Sequence, residues 1–145
     1  MKIIIGNDHA AVDLTLDIAA HLQAGGINVT HIGVPAGQRC HYPHKAADVA
    51  QALSRGEYDL GILVCGTGAG MCIAANKFRG IRAVVCSDPY TAKLTREHND
   101  ANILCLGARV LGSELAKMIV DIFLHTPFEG GRHAERVQMI AEFEN

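Results

Sequence analysis

The sequence predicts an α/β fold, a three-layer α/β/α Rossmann-like sandwich around a five-stranded parallel sheet. Two observations carry this. Five short apolar runs alternate with segments of helical periodicity, the pattern of strand–helix crossovers. The runs are continuously aliphatic rather than alternating, as strands covered on both faces are, and aromatic residues make up only 5% of the chain, with no Trp.

The elements follow in order. Ile3 to Gly6 is the first strand. Ala11, Leu14, Ile18 and Leu22 recur at helical spacing, and Gly25-Gly26 stops that helix. Val29 to Val34 reads as the second strand, and Pro43 opens a helix running to about Arg55. Leu60 to Cys65 has the unbroken apolar character of a central strand; a glycine-rich turn and a short helix to about Phe78 follow. Ala83 to Cys86 is the fourth strand, and Ser87-Asp88-Pro89 starts a helix with a capping side chain before a first-turn proline. Ile103 to Leu106 is the fifth strand. Leu115, Ile119, Ile122 and Phe123 line a helix ending before Pro127, and a last helix covers about Arg132 to Phe143. With 145 residues, no linker and no repeat, residues 1–145 read as one domain.

Composition narrows the function. The formal net charge is -2 with both signs interspersed, which argues against nucleic acid as a partner. No apolar run approaches the roughly 18 residues of a membrane helix, and Lys2-Ile3-Ile4-Ile5 reads as a strand rather than a signal peptide. Five cysteines, an odd number without a CxxC pair, fit reduced thiols and a cytoplasmic location.

In doubly wound sheets ligands bind beyond the carboxyl ends of the strands. The turns found there carry most of the unusual chemistry. In Cys65-Gly66-Thr67-Gly68-Ala69-Gly70, three glycines let backbone N–H groups point at a phosphate or a developing oxyanion. A thiol at Cys65 lies beside the same positive pole, which favours the reactive thiolate; an inert buried cysteine is the plain alternative. Gly66-Thr67-Gly68 also begins like a dinucleotide fingerprint, with Asp88 at ribose-binding distance along the chain, but Met71 occupies the place of the third glycine.

Asp8 and His9 follow the first strand, which in such sheets often neighbours the third. Asp8 reads equally as a helix N-cap. His98 and Asn99 end the fourth helix, where the plain reading of His98 is a solvated last-turn cation. Arg132 and Arg136 are four apart, so they share one helical face that suits a phosphate dianion, or they are ordinary surface arginines. Cys40, His41 and His44 are two or three possible ligands in one loop without an obvious fourth, thin ground for a metal.

Taken together the ordered motifs resemble the ribose-5-phosphate isomerase B family, part of a group that includes the galactose-6-phosphate isomerase subunits. The motifs are Gly6-Asn7-Asp8-His9, Tyr42-Pro43, Cys65 to Gly70, Ala74-Ala75-Asn76-Lys77, Gly80-Ile81-Arg82-Ala83, His98-Asn99, Gly107-Ala108-Arg109-Val110, and Gly130-Gly131-Arg132-His133 with Arg136. The resemblance covers essentially the whole chain. It implies an aldose–ketose isomerase of ribose 5-phosphate and ribulose 5-phosphate in the pentose phosphate pathway. Cys65 would be the base and Thr67 the group moving a proton between the sugar oxygens. The amides of Gly66, Gly68 and Gly70 would form the anion hole, and His98 with Asp8 nearby would open the ring. His9, Arg109, Arg132 and Arg136 would hold phosphate, with Tyr42 and Asn99 also lining the substrate. The resemblance further implies no metal, no cofactor, and a homodimer or homotetramer with active sites at the subunit interface. One position departs from the pattern: His41 stands where many members carry an acidic residue, so an allose or galactose 6-phosphate is the alternative substrate. A non-catalytic phosphosugar- or nucleotide-binding module is the alternative outside the enzymes.

Overall fold

The computed structural model describes residues 1–144. Five strands form one parallel sheet: β1 (Lys2–Asn7), β2 (Asn28–His31), β3 (Leu60–Cys65), β4 (Ala83–Val85) and β5 (Ile103–Gly107). Six helices accompany them: α1 (Val12–Ala24), α2 (Tyr42–Ser54), α3 (Ala69–Ala75), α4 (Pro89–Asn99), α5 (Ser113–His125) and α6 (Arg132–Ala141). The predicted α/β sandwich is what the chain adopts. The strand order is β2-β1-β3-β5-β4. The chain winds outward from β1 to β2, then crosses back to β3, so β1 and β3 meet at the reversal of winding, where an open sheet leaves a crevice beyond its strand ends.

Period-two alternation divides the core in two. Ile3 and Ile5, Ile62 and Val64, and Leu104 and Leu106 face a cluster closed by α1 and α5. Ile4, Leu63, Cys65, Ile103 and Cys105 face a second cluster closed by α2 and α3. Cys65 therefore points to the α2–α3 side. The last helix, α6, lies outside both clusters and packs on α4.

Several boundaries shift by a residue or two from the sequence reading, and for β2 and α3 the reason is a polar side chain. The second strand stops at His31 rather than at Val34. Its final ladder bond is Ile32 N–H to the Ile5 carbonyl at 3.0 Å, after which the Asn7 side chain fills the space between the strands; a Cβ at Gly33 would overlap Asn7 Oδ1. Helix α3 ends at Ala75 rather than near Phe78, because Asn76 pairs with the backbone of Ala83, Oδ1 accepting from its N–H and Nδ2 donating to its carbonyl, both at 2.8 Å. Helix α6 ends at Ala141 rather than Phe143 and closes in short turns through Glu144. Asp8 does not cap α1, whose N-cap is Ala11; its Oδ1 instead accepts from Ala10 N–H at 2.9 Å. Asp88 does cap α4, accepting from Thr91 N–H at 2.7 Å.

Phe123 is the largest fully buried side chain, and the Arg96 guanidinium lies 5.6 Å from its ring centre. Phe123→Ala removes a ring the neighbouring helices cannot replace, and is expected to cost about 3–5 kcal/mol of stability. Urea unfolding checks this; a midpoint within error of the parent protein would mean that the site is not packed as described.

Candidate active site

The carboxyl ends of β1, β3 and β5 bring a first set of residues together. The pairing of β3 with β5 continues past the strands into their turns: Ala108 N–H donates to the Cys65 carbonyl at 2.8 Å, and Arg109 N–H to the Gly66 carbonyl at 3.0 Å. The turns touch so closely that a Cβ at Gly107 would lie 2.9 Å from the Thr67 backbone. Gly68 has φ +83°, and a Cβ there would meet the Leu106 backbone at 3.1 Å. Glycine is required at 68 by conformation and by space alike.

Cys65 is the last residue of β3 and is 5% exposed. Gly68 N–H donates to its Sγ at 3.2 Å. The other buried thiols lack such a setting. Burial pushes Cys86 up to about 11 and holds Cys105 well above the ordinary thiol range. Cys72 is half-buried and lowered, chiefly by a contact with Cys105, and its Sγ faces the Ala83 carbonyl rather than the glycine turn.

Around Cys65, Thr67 is exposed at the crest of the turn, with Oγ1 accepting weakly from Ala69 N–H at 3.4 Å. The first helical bond of α3 is Cys72 N–H to the Gly68 carbonyl, so the amides at the start of this helix have no acceptor within it. The Tyr42 ring lies over Gly70, where a Cβ would come within 2.7 Å of it. The Arg109 guanidinium lies over Gly66, with Nη1 3.3 Å from the position of a Cβ there. Asp8 is buried, and its N–H donates to the Val64 carbonyl at 3.2 Å, which ties it to the strand carrying Cys65. His9 is exposed and borders a cleft of about 690 Å³ together with Ala36, Gly37 and Ala108. Asp13 and Asp17 also line that cleft.

The second predicted set sits at the other end of the sheet. Helix α4 runs back from the carboxyl end of β4, so His98 and Asn99 arrive where strands begin. Arg82, just before β4, donates from Nε to the Asn99 carbonyl at 3.1 Å, and Asn102, just before β5, donates its N–H to the Arg82 carbonyl at 3.0 Å. Helix α6 joins this end: the His98 and His133 rings stack with centres 4.2 Å apart and planes 9° apart. Arg132 and Arg136 flank His133 on that helix. The five-residue length of β5 separates the two ends by about 17 Å. Within one chain the antiparallel return of α4 therefore sets His98 at the opposite end of the sheet from Asp8.

His133 is the residue that sequence reasoning gave no role. It is buried, and its imidazole is held below the usual range by burial first, then by His98 and Arg132. Its position one residue after Arg132 was the available signal. Among the described residues, His98, Glu129 and His133 are the one group of three metal-type donors that converge, their ligand atoms within 4.8 Å of one another. An imidazole lone pair lies in the ring plane, and two nearly parallel rings do not aim at a common point. The group is built as a stack rather than as a ligand set. Cys40, His41 and His44 do not converge in this way; the two histidine rings meet edge-on at 6.3 Å.

Comparison with known proteins decides the lineage. The profile of the Ribose/Galactose Isomerase family matches residues 3–140. The chain belongs to that family. It is 54% identical over 143 residues to ribose-5-phosphate isomerase B of Escherichia coli K12, covering 99% of this chain and 96% of that one. It is 46% identical over 146 residues to the D-erythrulose-4-phosphate isomerase of Pectobacterium atrosepticum, covering 100% and 96%. The structure of Clostridium thermocellum ribose-5-phosphate isomerase B superposes with TM-score 0.97 at 51% identity, over 99% of this chain and 97% of that one. That of the Mycoplasma genitalium ribose-5-phosphate isomerase B, with bound ribulose 5-phosphate, superposes with TM-score 0.93 at 40% identity, over 99% and 95%.

The turn geometry of this family member predicts a graded response to alanine. Gly37 and Gly68 share a positive φ, +82° and +83°, but a Cβ at Gly37 would meet nothing within 4 Å. Gly37→Ala is expected to cost about 1–2 kcal/mol for the left-handed backbone alone. Gly68→Ala should cost distinctly more, since backbone rather than a mobile side chain stands in its way. Urea midpoints of the two variants compare them directly; equal losses would refute the close approach at Leu106.

Proposed function

We propose that this protein interconverts ribose 5-phosphate and ribulose 5-phosphate through an enediolate, with Cys65 as the base. The observation that supports it best is the Cys65 thiol at the end of a central strand, held by the Gly68 amide inside the glycine turn, in a chain of the isomerase family. The thiolate takes the proton from C2 of the open-chain aldose. The C–H electron pair becomes the C1–C2 double bond, and the carbonyl pair moves to the oxygen on C1. Returning the proton to C1 yields the ketose. C1 is reduced as C2 is oxidised, so electrons balance within the sugar.

The barrier lies in the enediolate, and fixed amide dipoles lower it by about 3 kcal/mol per donor. The amides of Gly66, Gly68 and Gly70 are the donors in this reading. Because α3 has only seven residues, the turn amides matter more here than any helix dipole. Thr67 moves a proton between the two oxygens, and Tyr42 walls the sugar. His9 and Arg109 hold the phosphate, whose binding energy keeps the reacting carbons in place.

The remaining groups come from a second copy of the chain in this reading. His98 for ring opening, Asn99, and the phosphate ligands Arg132 and Arg136 lie about a sheet's length from Cys65 in their own chain. A dimer that sets the amino end of one sheet against the carboxyl end of the other unites the two half-sites. Each half carries part of the phosphate grip, so substrate seats only across the boundary. The same reading places the enzyme in the cytoplasm, as a single 145-residue domain; no helix among the described residues is long and apolar enough to cross a membrane. Relatives acting on a five-carbon and a four-carbon sugar phosphate are both near in sequence. A panel of phosphorylated aldoses and ketoses compared by kcat/KM therefore accompanies the main test.

Two experiments check the reading. Solvent deuterium should enter C2 of ribose 5-phosphate with the wild-type protein. In Cys65→Ser, exchange and turnover should fall by a factor on the order of 10² to 10⁴ while substrate binding survives. Activity within a few-fold of the parent would remove Cys65 as base. Second, Cys65→Ser and the double variant Arg132→Ala with Arg136→Ala should each be inactive alone. Co-refolded, they should recover roughly a quarter of parental activity, since a mixed dimer holds one intact site and sites act independently. No recovery despite demonstrated heterodimers would place base and arginines in one subunit's site.

A further inference from the structure

The Asn7 side chain is fully buried at the carboxyl end of β1, beside the residues that follow it into the site. Its Nδ2 donates to the Asp8 carbonyl at 2.9 Å and to the Val34 carbonyl at 3.3 Å. Its Oδ1 lies 2.6 Å from His31 Nε2, on the edge strand β2. With both amide protons directed at carbonyls, Oδ1 is an acceptor, so His31 Nε2 must carry the proton. One buried amide thus joins three segments: the Asp8-His9 turn, the end of β2, and the 32–41 loop that leads to Tyr42. Gly33 leaves the space that this amide occupies.

We propose that Asn7 and His31 are positioning residues for the Asp8-His9 turn, and through it for the grip on the phosphate end of the substrate. This rests on the isomerase reading above, in which His9 touches the phosphate. His9 is exposed and follows the β1 strand end by two residues, so its backbone is set by the Asp8 peptide that Asn7 holds. Flipping the Asn7 amide would set its oxygen against the Asp8 and Val34 carbonyls, which can only accept, so those carbonyls fix the amide's orientation. The His31 Nε2–H then completes the arrangement by donating to Oδ1, and it holds the side chain in place from the edge strand. His31 sits on an edge strand, where loss of its ring leaves the sheet pairing of β1 with β2 unchanged.

The effect should appear in substrate affinity rather than in proton transfer, because Cys65 is held independently by β3 and the Gly68 amide. His31→Gln carries an amide nitrogen the same number of bonds from Cβ as Nε2 and can donate; His31→Glu has the same shape and cannot. His31→Glu and Asn7→Ala are expected to raise KM for ribose 5-phosphate about ten-fold and to leave kcat within about three-fold. The dissociation constant for inorganic phosphate, measured by calorimetry without any turnover, should rise by a similar factor. His31→Gln should stay within about three-fold of the parent in both. An unchanged KM and phosphate affinity in His31→Glu overturns the proposal, as does a His31→Gln variant no better than His31→Glu. A fall in kcat at constant KM overturns it too. Failure of the wild-type protein to isomerise ribose 5-phosphate would sink the substrate assignment instead, and leaves the phosphate titration to decide the role of His31.

Discussion

The contact on which the site depends is the continuation of the β3–β5 ladder beyond the strands. Two backbone hydrogen bonds, from Ala108 to Cys65 and from Arg109 to Gly66, carry sheet register into the glycine turn. A turn held only at its ends would wander on the ångström scale on which the proposed proton transfer depends. Here the turn borrows the rigidity of the most buried pair of strands. The cost is sequence freedom: Gly107 and Gly68 face backbone at about van der Waals contact or closer, and no side chain can be accommodated at either. The three glycines of the turn thus have different duties. Gly68 permits the conformation and the approach to β5, Gly66 leaves room for the Arg109 guanidinium, and Gly70 leaves room for Tyr42.

The parallel sheet also explains why the motif residues fall into two groups. Every crossover helix returns from the carboxyl to the amino end of its strand. A functional residue in a turn just after a strand lies at one end, and a functional residue at a helix C-terminus lies at the other. Asp8, His9, Cys65, Thr67 and Arg109 are of the first kind; His98 and Asn99 are of the second. Helix α6 follows the second group because it packs on α4. The division is a property of the topology, and it is what the proposed two-chain site draws on.

How much of this could be read from the sequence follows the same physics. Continuous aliphatic runs made the central strands plain, and Asp88-Pro89 marked the start of α4 through a capping rule that depends on neighbours only. The glycine turn was plain because alternate glycines directly after an apolar strand can continue neither a strand nor a helix without loss. What escaped was decided by side chains reaching across the fold. Asn7 ends β2 from a different strand, and Asn76 ends α3 by pairing with Ala83, seven residues on; neither leaves a trace in local periodicity. Asp8 looked like a cap because it is a short carboxylate before a helix, but the chain takes three further residues to start that helix. That His98 reaches the opposite end of the sheet from Asp8 within one chain was equally hidden, because order along a chain carries no information about which end of a sheet a residue reaches.

The five cysteines show why residue type alone did not settle the chemistry. Cys65, Cys86 and Cys105 are all buried, at 5%, 1% and 0% exposure, so accessibility hardly separates them. The difference lies in what faces the sulfur. Cys86 and Cys105 meet mainly apolar surroundings, and burial there penalises the thiolate. Cys65 meets the amide proton of Gly68 in the glycine turn. In the proposed reaction negative charge passes from the sulfur to a substrate oxygen close by, and a single rigid loop facing both positions would need no rearrangement between them. That reading accounts for a thiol and a set of free turn amides lying within six consecutive residues.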